Sequence, residues 1–347
     1  MAIRRGDTLV FAKPPVIAAW AAVGGKKESE GPLAAGFDWL TADTGFENED
    51  CDNWEQAESL LQQKCIELCL KKAGIGHNRV DLAFAGDLQA QCTASNYTMR
   101  ALGTPYVGLY GACSTMAESL GLAACFAAGG LSQQTLAFTS SHFCAAERQF
   151  RTPLDYGGKR TPTAQWTATA AGACLLRAPG NTGVQVLSAT FGRVRDFEIT
   201  DINNMGAAMM PAAAGTLLAY FKGTGTTPQD FDAIFTGDLG EVGSQLLEQQ
   251  MATEEMPLPN HQDCGCLLYD VAGQNVQAGG SGAGCSASVL AAHILPQLRA
   301  GTLRRVLLLS TGALMSQTTF LQGESIPGIA HAVELACPAD AGEGNVT

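Results

Sequence analysis

Cys113 stands at the end of the stretch Gly-Leu-Tyr-Gly-Ala-Cys (108–113), directly before a run of small and apolar residues typical of a buried helix. A thiol at the N-terminus of a helix lies beside unpaired backbone N–H groups and the positive end of the helix dipole, which lower its pKa. The resulting thiolate is a nucleophile suited to acyl transfer. Such chemistry also needs hydrogen-bond donors, commonly from His or Asn side chains, that stabilise an oxyanion.

The histidines offer few candidates for that second role. His142 follows the strand predicted over 135–141, which itself follows the helix of Cys113, so we expect it to reach the same cavity. No histidine lies between His142 and His261. The remaining histidines are interpreted as structural or exposed residues.

A short segment after His142 concentrates positive charge. Arg148, Arg151, Lys159 and Arg160 lie within 13 residues, although the whole chain has only 21 Lys and Arg. Guanidinium groups form forked hydrogen bonds with carboxylates. The segment therefore predicts the rim of an anion-accepting pocket, and a solvated loop is the alternative for at least two of the four side chains.

Composition excludes several classes of function. The formal net charge of −12 argues against nucleic acid as the main partner. No stretch resembles about 20 continuous apolar residues, and no export signal is visible, so we expect a soluble chain without a transmembrane helix. The 12 cysteines are interpreted as reduced thiols and no metal site is expected, since Cys264-Gly-Cys266 is too tight for the usual zinc pair.

The elements that position Cys113 occur twice in the chain. Residues 80–88 (VDLAFAGDL) and 231–239 (FDAIFTGDL) spell nearly the same strand and Gly-Asp turn. Residues 113–141 and 284–312 both run from a small-residue helix through a glycine stop to an apolar strand. An internal duplication follows, with an N-terminal half over 1–178 and a C-terminal half over 183–347.

The alternation of short apolar strands with helices predicts an α/β fold with buried, mostly parallel sheets. The helices that begin near Cys113 and Cys285 are rich in Gly, Ala and Ser and apolar on every side. A helix that is apolar all round must be buried all round. We therefore predict a layered αβαβα arrangement with these two helices adjacent at its centre.

The duplication, GLYGACSTMAESL at 108–120 and AGGSGAGCSASV at 278–289 resemble the thiolase superfamily of thiolases and ketoacyl-ACP synthases. Closer resemblance is to the stage V sporulation protein AD family, carried by the phrases at 140–176, 235–243, 263–270 and 322–333. The resemblance covers essentially the whole chain. It implies a thiolase-like fold in which Cys113 occupies the position of the nucleophile.

The chain departs from the catalytic pattern of that superfamily at two positions. Asp238 lies in the turn after the strand where the first partner His is expected, and Ala283 aligns with the partner Asn. An aspartate donates no hydrogen bond unless it is protonated, and alanine has no donor at all. We therefore expect a pseudo-enzyme with a vestigial nucleophile, no catalytic residue and no cofactor.

The resemblance implies a ligand and a cellular role. The ligand is dipicolinic acid, free or as its calcium chelate, and the role is its uptake into the developing spore with membrane proteins of the same operon. It also implies a connection to spore germination and a location in the forespore or spore, peripheral to the inner membrane. The expected ligand-binding residues are Cys113, His142, Arg148, Arg151, Lys159, Arg160, Asp238 and Ala283.

Two rival functions stay open at this point. One is an active acyl-CoA or ACP condensing or acyl-transfer enzyme that uses Cys113, and the other is an assembly scaffold with a vestigial pocket. The superfamily also implies a homodimer formed through the sheet of the first half, and we expect the apolar residues 137–141 to pair there.

Overall fold

The computed structural model describes residues 2–43, 51–150 and 160–338. The strands are β1 (Ala2–Arg5), β2 (Thr8–Phe11), β3 (Pro15–Gly24), β4 (Trp39–Leu40), β5 (Leu82–Gly86), β6 (Tyr106–Gly108), β7 (Gln134–Ser141), β8 (Trp166–Thr167), β9 (Ala170–Pro179), β10 (Val184–Phe191), β11 (Ala233–Thr236), β12 (His261–Asp263), β13 (Gly280–Ser281), β14 (Arg305–Ala313) and β15 (Gly328–Ala336). The α-helices are α1 (Lys26–Ser29), α2 (Trp54–Ala73), α3 (Thr93–Leu102), α4 (Thr115–Ala128), α5 (Phe143–Phe150), α6 (Met205–Thr224), α7 (Gly240–Thr253), α8 (Cys264–Leu268), α9 (Ala283–Val289), α10 (Leu295–Ala300) and α11 (Gln317–Leu321).

Two five-stranded arrays repeat one pattern of strand pairing. The first array has the order β3-β9-β7-β5-β6 and the second has the order β10-β15-β14-β11-β12. In both, the first two pairings are antiparallel and the last two are parallel. The arrays meet where β10 pairs with β3 at Val184–Ile17 and Gln185–Val16. The predicted duplicated α/β architecture is confirmed, but the prediction of mostly parallel sheets is wrong, because half of the strand pairings within each array are antiparallel.

The side chains of the two arrays define five layers. One apolar cluster lies between the arrays and contains the inward residues of both together with α4 and the segment from α9 to α10. A second cluster joins the outer face of the first array to α2, and a third joins the outer face of the second array to α6 and α7. This order of layers is the predicted αβαβα arrangement.

Small residues let the central helices lie close to the strands and to each other. α4 packs against strands of both arrays and against α9. A side chain at Gly172 on β9 would collide with the backbone of Ala287, and one at Gly284 would collide with the backbone of Ala170. The two helices that were predicted at the centre are therefore adjacent there.

Residues 137–141 lie inside the first array. β7 pairs with β5 on one side and with β9 on the other, so its backbone hydrogen bonds are already used. The expectation that these residues pair across a dimer is wrong. The edge of the first array is β6 instead, where Val107 is exposed. Over the described ranges, no helix combines the length and apolar character needed to cross a membrane.

Candidate functional site

Cys113 lies in a one-turn 3₁₀ segment, Ala112–Ser114, directly before the first residue of α4. Ala112 has a φ of +52°, in the left-handed region that residues other than glycine rarely adopt. The Ser114 hydroxyl donates to the Gly111 carbonyl at 2.6 Å and fixes the turn. The thiol of Cys113 is half-buried and faces residues that come from the second half of the chain.

Asp238 is the group that meets this thiol. It follows β11 in the repeated Gly-Asp turn and is fully buried. Its Oδ2 accepts from the Ser281 hydroxyl at 3.1 Å and from the Gly282 N–H at 2.9 Å, and its Oδ1 accepts from the Thr311 hydroxyl at 2.9 Å. Burial raises the pKa of Asp238 to about 6, although a hydrogen bond from Cys113 acts in the opposite direction.

The Cys113 thiol is therefore less acidic than its place at a helix N-terminus predicts. Burial raises its pKa well above the ordinary value, and Asp238 raises it further, through its charge and through the hydrogen bond that it accepts from the thiol. The Gly282 N–H and the Ser281 hydroxyl lower the pKa, but they do not offset these two effects. The buried carboxylate that faces the sulfur thus acts against the effect of the helix N-terminus.

Ala283 occupies the second position where the superfamily has a donor. It begins α9, is fully buried, and packs with Leu88 and Ala146 in a small apolar cluster that Cys113 adjoins. Its methyl group offers no hydrogen bond. The two donor positions thus hold a carboxylate and a methyl group, both beside the thiol.

A cavity of about 60 Å³ opens beside Cys113. By the same measure a buried water needs about 10–15 Å³, so the cavity has room for a few waters. Its wall includes the flexible or aromatic side chains of Phe150, Met205 and Met315. Methionine side chains are unbranched and change conformation readily, so this part of the wall is adaptable.

The charged lining of this cavity comes from Glu147, which is 4% exposed. Its Oε1 accepts from the Thr167 hydroxyl at 3.2 Å, and its Oε2 lies 3.1 Å from Nη2 of Arg160. Arg160 also donates to the Gln165 carbonyl at 2.7 Å and lies over the ring of Trp166, 5.0 Å from its centroid. Arg160 thus adjoins the cavity through its ion pair with Glu147.

The other predicted ligand residues are dispersed. His142 is buried at the end of β7 and is not among the residues that line the cavity. Arg148 forms an ion pair with Glu55 of α2, and its guanidinium lies 5.1 Å from the ring centroid of Trp54. Arg151 and Lys159 lie outside the described residues.

Three residues of the site were not predicted. Ser281 and Thr311 hold Asp238, and Glu147 carries the charge at the cavity wall. Glu147 directly precedes the cations at 148–160 in the sequence, and this proximity was the available signal that it pairs with one of them. Ser281 and Thr311 lie in glycine-rich or apolar stretches that give no sign of a polar site.

Comparisons with known proteins agree with this architecture. A family model described as Stage V sporulation protein AD matches residues 5–336. Stage V sporulation protein AD of Bacillus subtilis (strain 168) is 43% identical over 329 residues, which cover 94% of this chain and 96% of that protein. A solved structure of OleA from Xanthomonas campestris is similar with a TM-score of 0.59 at 12% identity, covering 94% of this chain and 99% of that one.

A second solved structure, 3-oxoacyl-(acyl carrier protein) synthase III of Pseudomonas aeruginosa PAO1, is similar with a TM-score of 0.54 at 15% identity. The match covers 94% of this chain and 99% of that one. At such identities the two structures establish the thiolase-like fold alone. The family match and the B. subtilis relative go further: the chain belongs to the stage V sporulation protein AD family.

Proposed function

We propose that the protein is a non-catalytic member of the thiolase fold that binds dipicolinic acid in the cavity beside Cys113 and supports its uptake into the developing spore. Membership of the sporulation family supports the role. The observation that carries the non-catalytic part is the contact between the Cys113 thiol and the buried carboxylate of Asp238.

Acyl transfer would need a different environment. A protonated thiol is a weak nucleophile, and above its pKa Asp238 repels the negative charge that develops on an oxyanion. Ala283 adds no donor. We therefore expect no stable adduct on Cys113 after incubation with an acyl-CoA, measured by intact mass. A stable adduct with turnover above background would establish the rival acyl-transfer function.

The ion pair between Glu147 and Arg160 supports an acidic ligand at this site. A ligand carboxylate can replace Glu147 as the partner of Arg160, and each hydrogen bond to a charged group contributes about 1.5–3 kcal/mol. A calcium chelate would instead place a cation near Glu147. Glu147→Gln separates these alternatives, because it frees Arg160 for the free acid but removes the carboxylate that would face calcium.

Calorimetry with dipicolinate, with and without calcium, tests the proposal. We expect binding by the parent protein and at least about tenfold weaker binding by Cys113→Ala, equivalent to 1.4 kcal/mol. Cys337→Ala, which removes a half-exposed thiol far from the cavity in sequence, is the matched control. Absence of dipicolinate binding by the folded parent would favour an assembly scaffold with a vestigial pocket.

The proposal extends to the partners of the protein. It places the protein at the surface of the spore inner membrane, with membrane proteins of the same operon, as a homodimer. The exposed edge of β6, with Val107 and the nearby Tyr110, supports pairing between two copies. Co-purification of those membrane proteins with the tagged chain from sporulating cells tests the assembly.

A further inference from the structure

A second cleft, of about 610 Å³, lies beside α6 on the outer side of the second array. Its other walls are the segment that follows β10 and the turn between β1 and β2. Three cations line it, Arg193, Arg195 and Lys222, together with one carboxylate, Asp7. The chain has a formal net charge of −12, whereas the lining of this cleft holds more cations than acids.

Two of the three cations are available to a ligand. Arg193 is held by Asp7 through two hydrogen bonds, from Nε at 3.1 Å and from Nη2 at 3.0 Å. In the part of the chain that the structure describes, neither Arg195 nor Lys222 has an ion-pair partner or a side-chain hydrogen bond. Uncompensated cations that share one concave surface attract anions, because their fields add in the cleft.

Glycines of α6 shape the floor of the cleft. A Cβ at Gly215 would lie 3.1 Å from Nε of Arg195, and a Cβ at Gly223 would lie 2.6 Å from the carbonyl oxygen of Arg5. Glycine inside a helix costs about 1 kcal/mol relative to alanine. Here it lets the guanidinium of Arg195 and the backbone of the β1–β2 turn lie against the helix.

Lys222 lies two helical turns beyond Gly215 on the same side of α6. Lys222 and Arg195 both line the cleft. The guanidinium offers forked donors to an anion, and the ammonium group offers a compact point charge.

We propose that this cleft is a binding site for a phosphate group, separate from the cavity at Cys113. Three cations and one carboxylate leave two positive charges, which match the charge of about −1.5 to −2 on a phosphate monoester at neutral pH. Val194 and Phe197 flank Arg195 and are 54% and 62% exposed. Apolar side chains beside cations suit a lipid headgroup, and the cations alone suit a free phosphorylated ligand.

Two probes distinguish these sources, namely inorganic phosphate followed by calorimetry and sedimentation with vesicles of phosphatidylglycerol or of phosphatidylcholine. The test variant is the double substitution Arg195→Gln with Lys222→Gln. The charge-matched control is Lys71→Gln with Arg79→Gln, which removes two exposed cations from the first half. We expect the cleft variant to bind inorganic phosphate about tenfold more weakly than the parent, and the control variant to bind like the parent.

Gly215→Ala tests the geometry without changing any charge. Its methyl group would lie 3.1 Å from Nε of Arg195, so the guanidinium has to shift slightly while alanine favours the helix, and we expect slightly weaker phosphate binding by a folded protein. Binding to phosphatidylglycerol vesicles that the cleft variant loses would identify a lipid headgroup as the source. Phosphate binding without vesicle binding would identify a free phosphorylated ligand. The proposal is overturned if the parent binds neither probe, or if the cleft and control variants bind equally.

Discussion

Asp238→Asn should make the Cys113 thiol more reactive. Asparagine keeps the shape of the side chain and removes its charge. Its amide oxygen can accept from the Gly282 N–H and the Ser281 hydroxyl, and its NH₂ group can donate to the Thr311 hydroxyl, which rotates to accept. The substitution therefore preserves the local fold while it removes one of the two effects that raise the pKa of the thiol.

The size of the effect follows from the contact between the two side chains. A charge at hydrogen-bonding range shifts a pKa by about 1–3 units, and each unit changes the thiolate fraction about tenfold. The nucleophilicity of a thiolate falls as its pKa falls, so each unit raises the rate only about threefold. Burial of the thiol is unchanged. With a shift of about two units, we expect alkylation of Cys113 to accelerate about tenfold.

The assay is the rate of alkylation by iodoacetamide at pH 8, with each cysteine followed by peptide mass spectrometry. Cys337 and the other thiols serve as internal references within the same sample. An alkylation rate at Cys113 that is equal in the parent and in Asp238→Asn would refute the argument. It would mean that burial alone determines the pKa of this thiol, and that the charge of Asp238 does not lower its reactivity.

Three further predictions concern stability and assembly. Because the pKa of Asp238 is raised from 3.8 to about 6, its contribution to stability is present below pH 4 and lost as pH rises through 6. Urea unfolding should therefore show Asp238→Asn gaining on the parent between pH 4 and pH 7, by on the order of 3 kcal/mol (2.2 units at 1.36 each). Val107→Lys at the edge of β6 should shift a dimer toward monomer in sedimentation. The control Leu131→Lys adds the same charge at a residue that is 72% exposed, and it should leave the dimer intact. Gly172→Ala should lower the free energy of unfolding by about 3 kcal/mol, since its methyl group would collide with the backbone of Ala287.

The sequence predicts the architecture well because its two halves repeat the same order of strands, helices and turns. The repeats at 80–88 and 231–239 became β5 and β11, at equivalent places in the two arrays. The sequence does not predict the order of strands within an array. Residues 137–141 are apolar because β7 is buried between two neighbouring strands. An apolar strand has the same sequence pattern whether it lies inside a sheet or at its edge.

The site was predicted less completely because its properties depend on pairings across long stretches of chain. The local sequence indicates that Arg148 is a pocket cation, but in the structure it pairs with Glu55, which lies 93 residues earlier. The local sequence likewise places Cys113 at a helix N-terminus, but the second half of the fold brings Asp238 beside its thiol. Local sequence gives the helix N-terminus, and only the tertiary structure shows which charge lies in front of it.

The duplicated Gly-Asp turn supplies a last prediction. Asp87 occupies the first copy and faces the outer layer, where it accepts from the Gln89 N–H at 2.9 Å and from the Ser95 N–H at 2.8 Å. Asp238 occupies the second copy and faces the central layer. Asp87→Asn should leave the alkylation rate of Cys113 unchanged, because Asp87 is not among the groups that shift the pKa of this thiol.

The two substitutions should also differ in their effect on the free energy of unfolding. The amide NH₂ of Asn at position 87 would face one of the two backbone N–H donors, which costs about 1–3 kcal/mol in the free energy of unfolding. Burial raises the pKa of Asp87 as well as that of Asp238, so the two variants are compared at low pH, where both carboxyl groups are protonated in the parent. Asp238→Asn loses no acceptor of this kind. If Asp87→Asn accelerated alkylation of Cys113 as Asp238→Asn does, the effect would come from general loosening of the fold. A difference between the two variants instead assigns control of the thiol to the second copy of the turn, and places the first copy among the residues that hold α3.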